Sequence, residues 1–345
     1  MGNFFYEAVR NIVIKNANFK TLAGFSISAI LLWLTVRSSG LQLQDLSLKG
    51  VEWLYFSGAI VLFIFATWVQ SLRSKLLWMN DSVKFKDIHT YNSLLIGNFY
   101  NCLLPGNLGE GVRTWHFSRK NKKTVSASLA AIITEKWIDA QMFVGLVLIL
   151  FSMQPFTNHY IFLIISVIAI AVVVFSVVQI LMWRYKFVEK WLWHLVLIFK
   201  RPGRFLFKIY KHTRVQISNV YRNGFAAYYI FLCIMTLLLN VLQFFLLLKA
   251  ADVTEPVGGM YSSFFIAISM MIIAFIPSAP GNIGVLHYGL YMVLILSAEQ
   301  YGIHPASADL KSYAFFGVLA HVSYFIPEVA LGVLLVIKDK KLLFG

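Results

Sequence analysis

"LLPGNLGEGVR", Leu103 to Arg113, stands between apolar runs, and "SAPGNIGVLHYG", Ser278 to Gly289, repeats its core much later in the chain. Each copy reads Pro-Gly-Asn-(Leu/Ile)-Gly, at Pro105–Gly109 and again at Pro280–Gly284. Proline cannot continue a helix, and glycine readily leaves one. A backbone freed from helix inside lipid must find its hydrogen bonds in protein or in a water-filled cavity. The apolar stretches ahead of the two copies, Asn92 to Leu104 and Ser262 to Ile276, are too short to cross a bilayer, and so is Val285 to Leu296 after the second. The alternative is that common Pro-Gly-Asn turn chemistry recurred by chance. A shared pattern of five positions, both times in a short broken segment, favours a repeat.

The surroundings of these breaks set the class. The chain has 345 residues, 59% of them hydrophobic and only 13% charged, more apolar surface than a soluble core of this size can hide. It is expected to be an all-α polytopic membrane protein. Six segments approach the roughly 20 apolar residues that a crossing helix needs. They are Leu22 to about Leu41, Trp53 to Leu72, Val125 to Phe151, Tyr160 to Met182, Phe225 to Leu248 and Tyr313 to Ile337. The first has a long basic lead and no convincing cleavage site after it, so it is read as a retained helix and not a signal peptide.

The formal charge of +15 does not point to nucleic acid, because the cations lie between the hydrophobic runs, where topology and anionic headgroups place them. With a cytoplasmic N-terminus and both short stretches re-entrant, 25 of the 30 Lys and Arg fall in cytoplasmic segments. Arg37, Lys49, Lys249 and Lys311 fall outside, and Lys136 lies within a helix. A single crossing by the first short stretch would instead put "RTWHFSRKNKK" outside, against the positive-inside tendency. The expected architecture is therefore about six crossing helices plus two re-entrant hairpins entering from opposite faces, with both termini cytoplasmic. Broken helices at corresponding places in two halves point to inverted-repeat pseudosymmetry, with the functional site at the repeat interface. The halves are read as about 1–151 and 160–345 of a single membrane domain spanning 1–345. The basic segment Arg184 to Arg222 holds ten cations, and Phe187, Trp191, Leu195 and Ile198 recur in it at helical spacing. An amphipathic surface helix is expected there, either recruiting anionic lipid headgroups or simply setting topology.

Several residues carry chemistry. Around the first break, Gly106, Asn107 and Gly109 free backbone amides suited to a phosphate or carboxylate. Arg113 adds a planar fork that grips phosphate with two hydrogen bonds. Its rival role is a salt bridge to Glu110, three residues earlier, and the two could alternate. In the next helix, Glu135 and Asp139 share one face, with Lys136 between them. At about 1.5 Å per residue from Val125, Glu135 lies about 15 Å along, near the middle of a roughly 30 Å hydrocarbon core. Charges at that depth face protein or water and signal function, here charge compensation or a proton relay. A helix starting deeper in the cytoplasm would instead make the trio interfacial and structural. His321, Tyr324 and Glu328 fall on one stripe of the last helix, beside Pro327. Around the second break, Pro280, Gly281, Asn282 and Gly284 mirror the first copy, and His287 stands where the first has Val112. Either histidine could bind charge or merely pack. Asn240 and Gln243 read as glue between helices.

Absences narrow the field further. There is no phosphate-binding G-x-x-x-x-G-K-(S/T) loop, no H-E-x-x-H helix and no G-x-S-x-G elbow. The two cysteines, Cys102 and Cys233, both lie in apolar runs, so no disulfide framework, metal site or cofactor is expected.

"NCLLPGNLGEGVRTWHFSRK", "ITEKWIDA" and "IPSAPGNIGVLHYG" together resemble the lysylphosphatidylglycerol synthase transmembrane-region family, in the same order and over nearly the whole chain. That family includes the flippase half of the multiple peptide resistance factor and the membrane portion of an archaeal dolichol-linked glycosylation protein. The resemblance implies a lipid translocase of the cell (inner) membrane that moves an aminoacylated phospholipid or a lipid-linked saccharide headgroup between leaflets. By position it carries over Gly109, Glu110 and Arg113, then Glu135 and Asp139, then Pro277, Pro280, Gly281 and Gly284. Lys136 stands where the family pattern has arginine, and His287 where it has glutamate. No stretch of these residues resembles the soluble aminoacyl-transferase part, so lysyl-lipid synthesis by this chain is not expected. Two other functions stay open: an enzyme or enzyme subunit acting on polyprenyl-linked sugars, and a non-catalytic scaffold for a partner synthase.

Overall fold

The computed structural model describes residues 17–42, 45, 50–78, 86–104, 108–153, 187–222, 224–254, 256–273, 276, 278–340 and 343, with a few positions between 166 and 177. The expected helix Tyr160 to Met182 lies largely outside the described residues, as do Pro105, Gly106, Asn107 and Pro277. Among the described residues the fold is all helical. The α-helices are α1 (Ala17–Ser39), α2 (Trp53–Trp78), α3 (Asp87–Leu103), α4 (Gly109–Lys120), α5 (Val125–Met153), α6 (Phe187–Arg222), α7 (Phe225–Ala250), α8 (Met260–Ile273), α9 (Val285–Gln300) and α10 (Ser307–Lys338). A 3₁₀ turn, Pro280–Asn282, precedes α9.

Four described stretches are long and apolar enough to cross a membrane: Trp53–Trp78, Phe225–Ala250, Pro280–Gln300 and Ser307–Lys338. In three of them only 33% of the apolar window is buried inside the protein, which leaves most of the surface for lipid. In Pro280–Gln300 the figure is 56%, so this stretch belongs to the interior. It also runs past the expected Leu296, because the 3₁₀ turn and the last turn of α9 extend it at both ends. The chain is an integral membrane protein of polytopic, all-helical type.

Local chemistry sets the element ends. Thr124 accepts from the Ala127 amide through its hydroxyl and opens α5. The chain leaves α3 just before Pro105, as expected of a residue preceding proline. After α9, Gly302 takes a positive φ of 68° while the Ile303 amide reaches back to the Ala298 carbonyl at 2.9 Å. Lys122 and Asp252 close α4 and α7 in the same left-handed conformation. α2 continues to Trp78, six residues beyond the expected Leu72, since Arg73 and Ser74 in that extension find buried partners in protein.

The chain divides into two compact units, each drawn from several segments. The first comprises Met1–Phe63, Asn98–Gly109 and Val241–Val333. In it α9 packs on α8 and on α1. Small residues allow close crossings in this unit, of α9 on α8 and of α10 on α3, as is common between membrane helices. A Cβ on Gly289 would lie 2.5 Å from Ile273 Cδ1, and one on Gly332 would lie 2.3 Å from Phe99 Cβ. The second unit comprises Ile64–Gly97, Glu110–Asn240 and Leu334–Gly345. There α5 packs on α6, and Gln216 donates to the Ala127 carbonyl at 2.9 Å. Leu77, Trp78, Phe117, Ala131, Ile132, Tyr229 and Cys233 form its buried apolar cluster. α6 exposes Trp193, Leu197, Ile198 and Phe199.

Candidate functional site

In the second unit, α2, α4 and α5 bring six charges into one network. Arg113 is fully buried, and its Nη2 lies 2.8 Å from Glu135 Oε2 and donates to Ser74 Oγ at 2.7 Å. Its Nη1 lies 3.2 Å from Glu110 Oε2, and Lys136 Nζ lies 3.1 Å from the other oxygen of Glu110. Glu135 also accepts from Ser74 Oγ at 2.7 Å and from Gln70 Nε2 at 3.3 Å. Arg73 reaches Glu135 Oε1 at 3.5 Å and forks onto Asp139, with Nη1–Oδ1 at 2.6 Å and Nη2–Oδ2 at 3.3 Å.

Signs therefore alternate along the chain Lys136, Glu110, Arg113, Glu135, Arg73, Asp139, three cations against three carboxylates. Such neutrality matters most at the centre, where Arg73, Arg113 and Glu135 are buried, since a single charge left unmatched in low dielectric costs several kcal/mol, on the order of 3–5. Hydrogen-bond capacity is less balanced. Among the described residues, Nε of Arg73, Nε of Arg113, Nε1 of Trp78 and the hydroxyl of Tyr229 have no acceptor. The guanidinium of Arg113 also lies 5.5 Å from the centre of the Trp78 ring.

Further along α4, His116 Nε2 lies 3.0 Å from Asp339 Oδ2, and Lys120 Nζ lies 2.7 Å from its other oxygen. Burial pulls the His116 imidazole below its ordinary value, although Asp339 opposes the shift. Burial pushes Asp339 up, but hydrogen bonds from Lys120 and His116 outweigh it and hold the carboxyl below the usual carboxylate range.

The first unit contains the second break. Gly281, Asn282 and Gly284 all have positive φ, at 69°, 58° and 84°. The Asn282 amide donates to the Ala279 carbonyl at 3.0 Å, and Ser278 Oγ donates to Asn282 Oδ1 at 2.7 Å. α1 holds the outside of this turn, with Ser28 Oγ accepting from the Ala279 amide at 2.8 Å. A Cβ on Gly284 would sit 2.1 Å from the Ser28 carbonyl oxygen, so only glycine lets α1 approach so closely. The inside of the turn meets α3 and α10. A Cβ on Gly281 would stand 3.4 Å from the Phe325 ring and 3.7 Å from the Cys102 carbonyl oxygen. Tyr324 donates its hydroxyl to the Gly281 carbonyl at 3.1 Å and lies 3.4 Å from His321 Nδ1. The His321 ring stacks on His287 with centroids 5.1 Å apart, and His287 Nδ1 accepts from the Gly284 amide at 3.4 Å. Glu328, buried on α10, accepts from Asn98 Nδ2 at 2.9 Å and lies 3.2 Å from Cys102 Sγ. The described end of α3 thus lies against the second Pro-Gly-Asn turn.

The six-charge network and the second break both lie within the stretch of the chain that matches a known family. The description of that family is "Lysylphosphatidylglycerol synthase TM region", and the match covers residues 21–332. The chain belongs to this family. No curated protein and no solved structure matches it.

Within this lysylphosphatidylglycerol synthase TM region, the residues expected from sequence fall in the two clusters. Glu110, Arg113, Glu135, Lys136 and Asp139 share the network of the second unit. Gly281, Asn282, Gly284, His287, His321, Tyr324 and Glu328 gather around the break in the first. Gly109 opens α4, its amide donating to Asn101 Oδ1 at 2.7 Å, and Pro280 starts the 3₁₀ turn. Gly106 and Asn107 lie outside the described residues. Sequence reasoning missed Gln70, Arg73 and Ser74, which complete the network, Ser28, which holds the break, and Asn98 and Cys102, which meet Glu328. The spacing of Gln70, Arg73 and Ser74, three and four residues apart, was the available signal for one polar face on α2. Among the described residues no group of three His, Cys, Asp or Glu is placed to hold a metal ion.

Proposed function

We propose that this chain is a lipid translocase, moving an anionic, aminoacylated or lipid-linked headgroup between leaflets while the acyl chains stay in the bilayer. The single observation that carries the reading is the broken helix at Pro280–Gly284 inside an apolar protein. Its carbonyls and amides are met by Tyr324, Ser28 and His287 in place of regular helix bonds. Irregular backbone in a membrane protein is tolerated where it is buried in protein or lines a polar path, and discontinuous helices of this kind mark substrate and ion sites in transporters. The family description adds lipid chemistry, since it names the membrane part of a lysylphosphatidylglycerol synthase. Aminoacylated phosphatidylglycerol is accordingly the first lipid to assay.

Arg113 is the headgroup ligand in this reading. At rest its fork is shared by Glu135 and Glu110, the second bond at 3.2 Å to a carboxylate that is 22% exposed. A headgroup phosphate competes best for that outer contact, because it too accepts from the fork. The nearby donors without acceptors, Arg113 Nε among them, favour an incoming anion over another cation. In this reading the two breaks form re-entrant hairpins of an inverted repeat, both termini are cytoplasmic, and transport needs no covalent chemistry. Headgroup translocation by purified protein in proteoliposomes tests it. Arg113→Lys keeps the charge but loses the fork, so its rate should fall roughly 10- to 100-fold, the value of one charge-assisted hydrogen bond. Wild-type rates in both Arg113→Ala and Glu110→Ala would reject this assignment.

A further inference from the structure

Glu328 is the buried carboxylate that the headgroup reading leaves unused. Its side chain is 8% exposed, and among the described residues it forms no ion pair. Both its contacts are neutral: the Asn98 amide at Oε1 and the Cys102 thiol at Oε2. They come from the last turns of α3, which ends at Leu103. A helix C-terminus carries partial negative charge. An ionised Glu328 would therefore place a full negative charge beside a partial one, with no ion-pair partner among the described residues to offset it. Two neutral donors, one of them a weak thiol, offset little of that cost, so the neutral carboxylic acid is the form this buried position favours. Oε1 then accepts from Asn98 as a carbonyl, and Oε2 accepts from the Cys102 thiol while carrying its own proton. A metal cation fits poorly, because a thiol at one carboxylate oxygen and an amide donor at the other supply no ligand oxygen.

We propose that Glu328 is a proton-binding site, loaded while α3 and the second break are packed together and emptied when they part. The coupling rests on the translocase reading, whereas the loading does not. Proton release breaks the Oε2–H bond, passes the proton to water admitted by the opening, and leaves a carboxylate that water solvates. The titratable groups facing this position are Cys102 on α3 and Tyr324 on α10 itself, and beyond Tyr324 lies His321, stacked on His287 of α9. Tyr324 lies one turn before Glu328 and holds the Gly281 carbonyl, so a charge appearing at Glu328 acts directly on the turn.

Two measurements on the full chain test the proposal. Infrared difference spectra of wild type against E328Q at neutral pH should show a protonated carboxyl stretch that is lost in the variant. Glutamine mimics the neutral acid, so E328Q should melt as wild type does. Absence of the carboxyl band, or a large drop in melting temperature for E328Q, overturns the loading. In proteoliposomes, a one-unit pH gradient should redistribute labelled lipid between leaflets by up to about tenfold in wild type, the equivalent of one coupled proton. E328Q should show no redistribution. A gradient response in E328Q equal to wild type, or none in a wild type that still translocates, overturns the coupling. A wild type that moves no lipid at all rejects the translocase reading, and the carboxyl band then decides Glu328 alone.

Discussion

Glu135 sits at the centre of the network, accepting from Arg113, Ser74, Gln70 and Arg73 through two oxygens. Replacing it with glutamine keeps the volume but leaves two buried guanidiniums with one fewer compensating charge. Loss of one member of a buried ionic group costs about 3–5 kcal/mol. Unfolding of Glu135→Gln in detergent should show a loss of that order, and a loss below about 1 kcal/mol would mean the network is not holding the unit together. Gly284 poses the equivalent test in the first unit. Alanine there must adopt a φ near 84° and displace the Ser28 backbone. The backbone strain alone costs roughly 1–3 kcal/mol. Gly284→Ala should melt lower than wild type, and an unchanged melting temperature would contradict the close approach of α1. Glu135 and Asp139 were legible in sequence because a carboxylate inside an apolar run is costly unless it is used. Arg73 was not, because a cation at the end of a crossing helix is ordinary, and hydropathy ends the helix where charge begins.

Among elements, α4 links the polar network to the end of α10 within the second unit. His116 contacts Ser93 at 2.8 Å on one side and Asp339 on the other. Its folded pKa lies below the ordinary 6.5, so below that value the unfolded chain binds more protons than the folded one. Stability contributed by a neutral His116 is thus present above pH 6.5 and is lost as pH falls from there through the folded value. Asp339, also held low, adds a further loss only near and below the usual carboxylate value of 3.8. Melting between pH 7.5 and 5 should therefore fall by up to about 1.4 kcal/mol per pH unit from His116, and His116→Gln should flatten that part of the curve. An equally steep curve in the variant would place the acid sensitivity elsewhere. The breaks themselves were readable, since Pro-Gly-Asn-x-Gly interrupts a helix in any environment. The lengths flanking them were less so. α3 starts at Asp87, five residues before the expected Asn92, because an acidic residue is favourable at a helix N-terminus and hydropathy does not see it. The left-handed ends at Lys122 and Asp252 carry no glycine and gave no signal at all.

For the molecule as a whole, composition and the order of three short motifs were enough to anticipate an all-helical membrane protein and its family, because lipid restricts the backbone so severely. What composition could not convey was pairing across distance in sequence. Asn98 and Cys102 reach Glu328 from more than 220 positions away, and single-chain patterns carry no trace of such contacts. The central claim is that this apolar, broken-helix protein moves lipid headgroups. Its most direct test is the accessibility of a labelled aminoacylated phosphatidylglycerol to a membrane-impermeant reagent, in vesicles with and without the purified chain. The account predicts that the inner-leaflet half of the label becomes reactive at least roughly tenfold faster with wild type than in empty vesicles, and that Arg113→Ala removes most of the gain. Equal rates in protein-containing and empty vesicles would contradict it.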